Sequence, residues 1–142
     1  HSREGNFLEN IGNVLYDQNK LEDTLAMYRK AVRIYRKTLG PEGADLGRVL
    51  CNMATVLREQ DKYDEAMAQY EESLRIRRGA LGSEHDEVAR TLHEMALCKE
   101  SLGDRQGAVV CLREAKSIYE NRGLDHSDYQ EVVRMLQAIG GG

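Results

Sequence analysis

The side chains best suited to metal binding or nucleophilic chemistry are four histidines and three cysteines. The pair His93-Glu94 lacks the second histidine that a zinc-protease helix carries one turn further on. Cys51, Cys98 and Cys111 form no Cys-x-x-Cys pair, so the spacing indicates neither a zinc site nor a disulfide framework. We therefore expect no metal site, no cofactor and no catalytic residues, and we predict that the chain is not an enzyme.

The charged residues are mixed in sign, with 24 acidic and 20 basic side chains and a net charge of −4. Such a chain lacks the basic surface that nucleic acid requires. No apolar run approaches the ~18 residues of a membrane span, and the sequence contains no signal-peptide pattern. We therefore expect neither nucleic acid nor a membrane as partner, and a cytoplasmic location.

A short pattern recurs three times, as LENIG at residues 8–12, LCNMA at 50–54 and LHEMA at 92–96. Both steps are 42 residues, and the similarity extends further, since Tyr28 recurs as Tyr70. A period of ~20–50 residues is typical of stacked repeats, in which no unit buries its apolar face alone. Such proteins present an extended surface to a partner, so the pattern favours a binding scaffold.

Each period contains two amphipathic segments with helical spacing. In the first segment, Leu8, Ile11 and Leu15 fall at i, i+3 and i+7, which places them on one helix face. A short polar break such as Asn19-Lys20 then separates the two segments. Because the link is so short, the two helices of a unit are predicted to pack antiparallel.

The repeats predict one domain over residues 1–142. Because the sequence opens without methionine and ends in three glycines, we expect it to be part of a longer protein. Gly12 should let two helices approach closely, and Tyr28 and Tyr70 should be buried between them. Ser127 and Gln130 are predicted to cap the last helix. The predicted repeats span about residues 6–45, 46–87 and 88–126, and the final capping helix spans about residues 128–138.

The connectors between repeats carry histidines at matching places, His85 and His126. Each connector also has a glycine that suits the left-handed end of a helix. Because the two histidines recur in equivalent turns, we expect them to stabilise those turns and not to bind a metal.

The sequence resembles the tetratricopeptide repeat family, whose small, aromatic and alanine positions are matched by NIG at residues 10–12, by Tyr28 and by Ala31. The period exceeds the family's usual ~34 residues, and LGSEH at residues 81–85 is similar to the connector of the kinesin light chain group. Asp86 departs from that pattern, which has proline there. The resemblance implies an all-α fold: a right-handed α-solenoid of three helix-turn-helix repeats plus a C-terminal capping helix.

The resemblance also implies a concave groove, lined by the first helix of each repeat, that binds a short extended peptide of a partner protein. Asn10 and Asn52 match the asparagine that in this group hydrogen-bonds the peptide backbone, whereas Glu94 replaces it in the third repeat. Arg48 and Arg90 would favour a partner with an acidic segment. The candidate groove residues are Asn10, Asn13, Arg48, Asn52, Thr55, Arg90, His93 and Glu94.

Two functions from different classes stay open. The first is an adaptor that recognises a cargo or partner peptide in the groove. The second is a structural, regulatory or self-associating array within a larger signalling protein, with no short-peptide ligand.

Overall fold

The computed structural model describes residues 3–40 and 43–140, and these residues form seven α-helices and no strand. The helices follow one another with short links, as the 42-residue period predicts, so the all-α fold is confirmed. In chain order they are α1 (Arg3–Asp17), α2 (Leu21–Leu39), α3 (Ala44–Glu59), α4 (Tyr63–Leu81), α5 (Asp86–Ser101), α6 (Arg105–Asn121) and α7 (Ser127–Ile139).

The chain divides into two compact units, one that ends at Ile76 and one that begins at Arg77. The division falls inside α4, so it coincides with neither predicted repeat boundary. The single domain expected from the sequence therefore stays a prediction.

In the first unit, α1 and α2 pack around Gly12 and Tyr28. A Cβ atom at Gly12 would lie 2.6 Å and 2.7 Å from two ring carbons of Tyr28, so only glycine permits this approach. Tyr28 is 3% exposed, and Tyr70 of α4 is fully buried. The predicted burial of both tyrosines is confirmed.

The first unit continues as α2 packs on α3. The apolar side of α3 is closed to solvent, since Leu46, Val49 and Leu50 are fully buried. Ser73 of α4 donates a hydrogen bond from its hydroxyl to the carbonyl oxygen of Gly47, at 2.6 Å. A small side chain at Ser73 thus lets α4 reach the backbone of α3.

In the second unit, α5 pairs with α6, and α7 packs on α6. Val132 and Leu136 of α7 are buried, which agrees with a covering helix. The ring of Tyr119 meets the rings of His126 and Tyr129 edge to face, with centroids 4.9 Å and 6.4 Å away.

Both connector histidines cap helices. The Nδ1 atom of His85 accepts a hydrogen bond from the backbone N–H of Glu87 at 3.0 Å, and that of His126 accepts one from Asp128 at 3.1 Å. The predicted role at the turn is therefore confirmed. The predicted cap at Ser127 was wrong, because Ser127 is already the first helical residue and His126 holds the capping place.

Candidate functional site

The eight predicted groove residues all lie on first helices of repeats. Asn10 and Asn13 are on α1, and Arg48, Asn52 and Thr55 are on α3, so the first unit holds five of them. The other three, Arg90, His93 and Glu94, lie on α5 in the second unit.

The amides of Asn10 and Asn52 occupy equivalent register positions, 42 residues apart. Asn10 is exposed and Asn52 is half-buried. Within residues 3–40 and 43–140, no hydrogen bond involves either side-chain amide. Each amide therefore offers two donors and an acceptor, the combination that can pair with the main chain of an extended peptide.

The neighbouring register pair, Asn13 and Thr55, is engaged with the buried tyrosines. The hydroxyl of Tyr28 donates to Oδ1 of Asn13 at 2.5 Å, and the hydroxyls of Thr55 and Tyr70 share a hydrogen bond of 2.9 Å. Burial raises the pKa of Tyr28 to about 12, and the negative charge of Glu9 adds to the shift. Asn13 and Thr55 thus provide hydrogen-bond partners for the hydroxyl groups of the two buried tyrosines.

Arg48 belongs to a polar cluster that we call the Glu9 cluster, made of Asn6, Glu9, Tyr35, Asp45 and Arg48. The Glu9 carboxylate is 4% exposed and accepts two hydrogen bonds from the Arg48 guanidinium, at 2.8 Å and 2.9 Å. The Tyr35 hydroxyl lies 2.9 Å from a Glu9 carboxylate oxygen and 2.5 Å from the Asn6 amide oxygen, so its one proton is shared between these two acceptors. Arg48 also donates a hydrogen bond to Asp45 at 2.7 Å. The cluster ties α1, α2 and α3 together through paired charges.

The pKa values of Arg48 and Tyr35, two members of the Glu9 cluster, are both raised. The hydrogen bonds from Arg48 to Glu9 raise the pKa of the guanidinium further above its usual range. Burial, followed by the hydrogen bond to Glu9, raises the pKa of the Tyr35 hydroxyl. An acidic ligand at Arg48 would therefore have to compete with two internal carboxylates, Glu9 and Asp45.

The Glu9 position of each repeat, which in the third repeat is the candidate groove residue His93, is enclosed and does not face open surface. Glu9, Cys51 and His93 are 4%, 5% and 9% exposed. His93 is thus mostly enclosed by packed side chains. The physical reason is that the position borders the neighbouring helix, where Glu9 is covered by Tyr35 and Arg48.

In the second unit, Arg90 is the exposed member of the predicted set. Its side chain is 59% exposed and lies 3.9 Å from the Glu87 carboxylate one turn earlier. Such a contact is loose, so the guanidinium remains accessible to solvent. Glu94 is half-buried.

Sequence reasoning missed the burial of Glu9 and its hydrogen bonds with Tyr35 and Arg48. These two partners lie 26 and 39 residues away from Glu9 along the chain, so no local pattern marks the contacts. Among the described residues, no three His, Cys, Asp or Glu side chains are grouped so that they could hold a metal ion. Among the same residues, no helix is both long and apolar enough to span a membrane.

Comparisons with known proteins agree with this geometry. The family model described as "Tetratricopeptide repeat" matches residues 4–79 and 49–121, two overlapping windows that each cover about two repeats. No curated protein matches the sequence itself.

Solved structures similar to this chain are helical repeat proteins of low sequence identity. BtubC (BKLC) from P. vanneervenii is 18% identical with a TM-score of 0.88, over 95% of this chain and 54% of that chain. A putative kinesin light chain with TPR-like repeats from Podosopora anserina is 22% identical with a TM-score of 0.79, over 99% and 69%. The N-terminal domain of stress-induced protein-1 from C. elegans is 18% identical with a TM-score of 0.74, over 96% and 94%. The chain spans about half the length of BtubC. Because the family model covers most of its residues, the chain belongs to the tetratricopeptide repeat family.

Proposed function

We propose that this chain is a protein-interaction module whose first unit binds an extended peptide of a partner protein. The observation that carries the proposal is the pair of amides at Asn10 and Asn52. They occupy the same register position on α1 and α3, they reach the surface, and no residue of the described ranges hydrogen-bonds them.

The contrast with neighbouring polar groups supports this choice. Asn13, Thr55 and Arg48 sit on the same two helices but already have partners inside the fold. The two amides are left to pair with a ligand, and an amide pairs with peptide groups whatever the side chains of the peptide. A peptide bound in this way would be recognised first by its backbone.

The preference for side chains of the peptide is the finer part of the proposal. In the first unit the cation of the predicted set is Arg48, and we propose that it favours an acidic residue. The preference is modest because Glu9 and Asp45 already bind Arg48. We leave His93 out because it is buried.

The similarity to BtubC (BKLC) and to the putative kinesin light chain supports a further proposal, that the peptide is a cargo or adaptor segment of the kind recognised by the kinesin light chain group. Cytoplasmic location is part of the same proposal.

The experiment is selection of binders from a random peptide library displayed on phage, followed by titration of a recovered peptide against variants. Asn52→Ala and Asn10→Ala should each weaken binding by about 1–3 kcal/mol, the penalty for an unmatched polar partner. Gln106→Ala, an exposed amide on the second helix α6, is the matched control and should bind as the wild type does. Equal affinity of all three variants would refute the amide groove.

A second function, a structural or self-associating array, is favoured by one observation. Phe7 and Val14 of α1 are 64% and 56% exposed, and exposed apolar residues two turns apart are typical of an uncovered packing face. Under this alternative the wild-type chain selects no peptide from the library.

A further inference from the structure

The side of α2 opposite its buried face carries a dense group of cations. Residues 29–37 include five lysines and arginines and no acidic residue, although the whole chain has a net charge of −4. Arg29, Arg33 and Lys37 follow one another at four-residue steps and are all exposed. This spacing places them in one row along the helix, about 6 Å apart and about 12 Å from first to last. We call these three residues the α2 outer row.

The α2 outer row makes no charge contact inside the fold. Within residues 3–40 and 43–140, no ion pair or side-chain hydrogen bond involves Arg29, Arg33 or Lys37. The neighbouring Arg36 differs, since its guanidinium donates two hydrogen bonds to the Glu72 carboxylate of α4, at 2.8 Å and 3.1 Å. The three cations of the row are therefore available to a ligand.

The helix dipole accounts for only one member of the row. Lys37 lies in the last turn of α2, where a positive charge offsets the negative end of the dipole. Arg33 and Arg29 lie 6 and 10 residues before the end of the helix at Leu39, and the dipole effect falls off within the last turn. A role at the helix end therefore does not explain these two arginines.

The exposure of the row belongs to the outer side of every second helix. The equivalent positions in the later repeats are all exposed, and they are Glu71, Arg75 and Gly79 in α4 and Arg113, Ser117 and Asn121 in α6. Helices precede and follow both α4 and α6 in the chain, and these positions stay open there. Stacking of a further repeat before α1 would therefore leave the α2 outer row exposed. The three cations are also specific to α2, since the other repeats have mixed residue types at these places.

The width of the row decides between classes of anionic partner. A helix is about 10–12 Å across, and on either side of the row exposed carboxylates follow, Asp23 in the first turn of α2 and Glu71 at the matching place of α4. A nucleic-acid duplex or a membrane surface is wider than one helix, so it would meet these like charges as well. A membrane surface also favours apolar side chains that insert, and of the exposed large apolar side chains in the described residues, none lies on α2. A single acidic segment of protein is narrow enough to contact the row alone.

We propose that the α2 outer row binds an extended acidic segment of a partner protein. In an extended chain, alternate side chains point to the same side and are about 6.6 Å apart, close to the step of the row, about 6 Å. Three acidic residues at alternate positions can therefore place one carboxylate against each cation. Nowhere in the 142 residues do acidic residues occupy three alternate positions, so a second copy of the chain does not supply the segment. The row lies on a second helix, apart from the amides of Asn10 and Asn52, so the proposal does not rest on the peptide groove.

The test is an NMR titration of the intact, nitrogen-labelled chain with two peptides of equal composition and blocked ends. Each contains three glutamates among serines, at alternate positions in the matched peptide and at every fourth position in the spread peptide. The outer glutamates of an extended chain are then about 13 Å apart in the matched peptide and about 26 Å apart in the spread peptide. Because the row is about 12 Å long, the matched peptide should bind about three- to tenfold more tightly. The backbone amides of α2 should show the largest shifts.

A triple variant tests the row itself. Arg29→Gln, Arg33→Gln and Lys37→Gln together should weaken binding of the matched peptide about five- to thirtyfold, the combined effect of three exposed charge contacts. The melting temperature should change little, because glutamine has a helix propensity close to those of lysine and arginine and the three side chains have no partner to lose.

A second triple variant is the matched control. Arg105→Gln, Arg122→Gln and Arg134→Gln remove the same total charge at exposed places of the second unit, and this variant should bind the matched peptide nearly as well as the wild type does. Asn52→Ala should also leave this binding unchanged. Failure of the row and failure of the amide groove are therefore separate results.

Four outcomes would overturn the proposal. The first is equal affinity for the two peptides, or no binding of either. The second is an equal loss in the two triple variants, because net charge alone would then explain binding. The third is a set of shifts confined to α1 and α3. The fourth is tighter binding to a DNA duplex, or to vesicles of phosphatidylserine and phosphatidylcholine in equal parts, than to the matched peptide, because the partner would then belong to another class.

Discussion

Replacing Arg48 with methionine should destabilise the fold more than replacing its partner Glu9. The two side chains differ in burial, at 42% exposed for Arg48 and 6% for Glu9. Arg48→Met leaves a buried carboxylate without its cation, for which the loss is typically about 3–5 kcal/mol. Because the Tyr35 hydroxyl still donates to Glu9 at 2.9 Å, we expect about 2–4 kcal/mol.

Glu9→Met should destabilise the fold less, because the Arg48 charge that it leaves unpaired with Glu9 is not fully buried. The guanidinium is partly solvated and keeps Asp45 at 2.7 Å, so the loss should be about 1–2 kcal/mol. The double variant should be more stable than Arg48→Met alone, because no buried charge remains in it.

Urea unfolding followed by circular dichroism at a helix wavelength measures these differences. Arg36→Met is a matched control, since Arg36 is 43% exposed, but its partner Glu72 is 27% exposed. Its loss should be about 0–1 kcal/mol. If Glu9→Met lowers the free energy of unfolding as much as Arg48→Met does, the burial of the Glu9 carboxylate does not determine the loss. That result would refute the reasoning.

Three other predictions concern the core, a cap and alkaline pH. Tyr70→Ala should lower the free energy of unfolding by about 3–5 kcal/mol, as for other buried aromatic residues, and a loss below about 0.5 kcal/mol in a urea titration would contradict its burial. Gly107→Ala should lose about 0.5–2 kcal/mol in the same titration, because the new Cβ would lie 2.2 Å from an Asp104 carboxylate oxygen and displace the cap of α6. The pKa of Tyr28 is raised to about 12 from an ordinary value of about 10, so its contribution to stability is complete below about pH 10 and is lost as the pH rises toward 12. Unfolding measured across that range should show a decline that Tyr28→Phe reduces, and an identical decline in the variant would refute the assignment.

The helices and their packing could be predicted because they follow from local spacing. The i, i+3, i+7 pattern of Leu8, Ile11 and Leu15 fixes a helix face, and the 42-residue period carries it to α3 and α5. The contact between Gly12 and Tyr28 was predictable for a related reason, since a small residue opposite a large one recurs with the period.

The orientation of individual polar residues could not be predicted in the same way. Spacing places Glu9 and His93 beside the apolar stripe, but it does not say how far the next helix extends over them. That depends on side chains such as Tyr35 and Arg48, which come from other helices. A single sequence also gives no sign that Arg48 is held by Asp45 and Glu9 before any ligand arrives.

The histidine caps at α5 and α7 restrict the protonation form of the two rings. Each Nδ1 atom accepts a backbone hydrogen bond, so it must hold a lone pair and the proton must sit on Nε2. An imidazolium has no lone pair and cannot cap. Nitrogen NMR of His126 should therefore show the Nε2–H tautomer in the folded chain, whereas at His85 an Asp86 carboxylate oxygen 3.0 Å from Nδ1 competes with this form. Asp104 caps α6 through a carboxylate, so the choice of tautomer arises only at the two connector caps and not at the turn between α5 and α6.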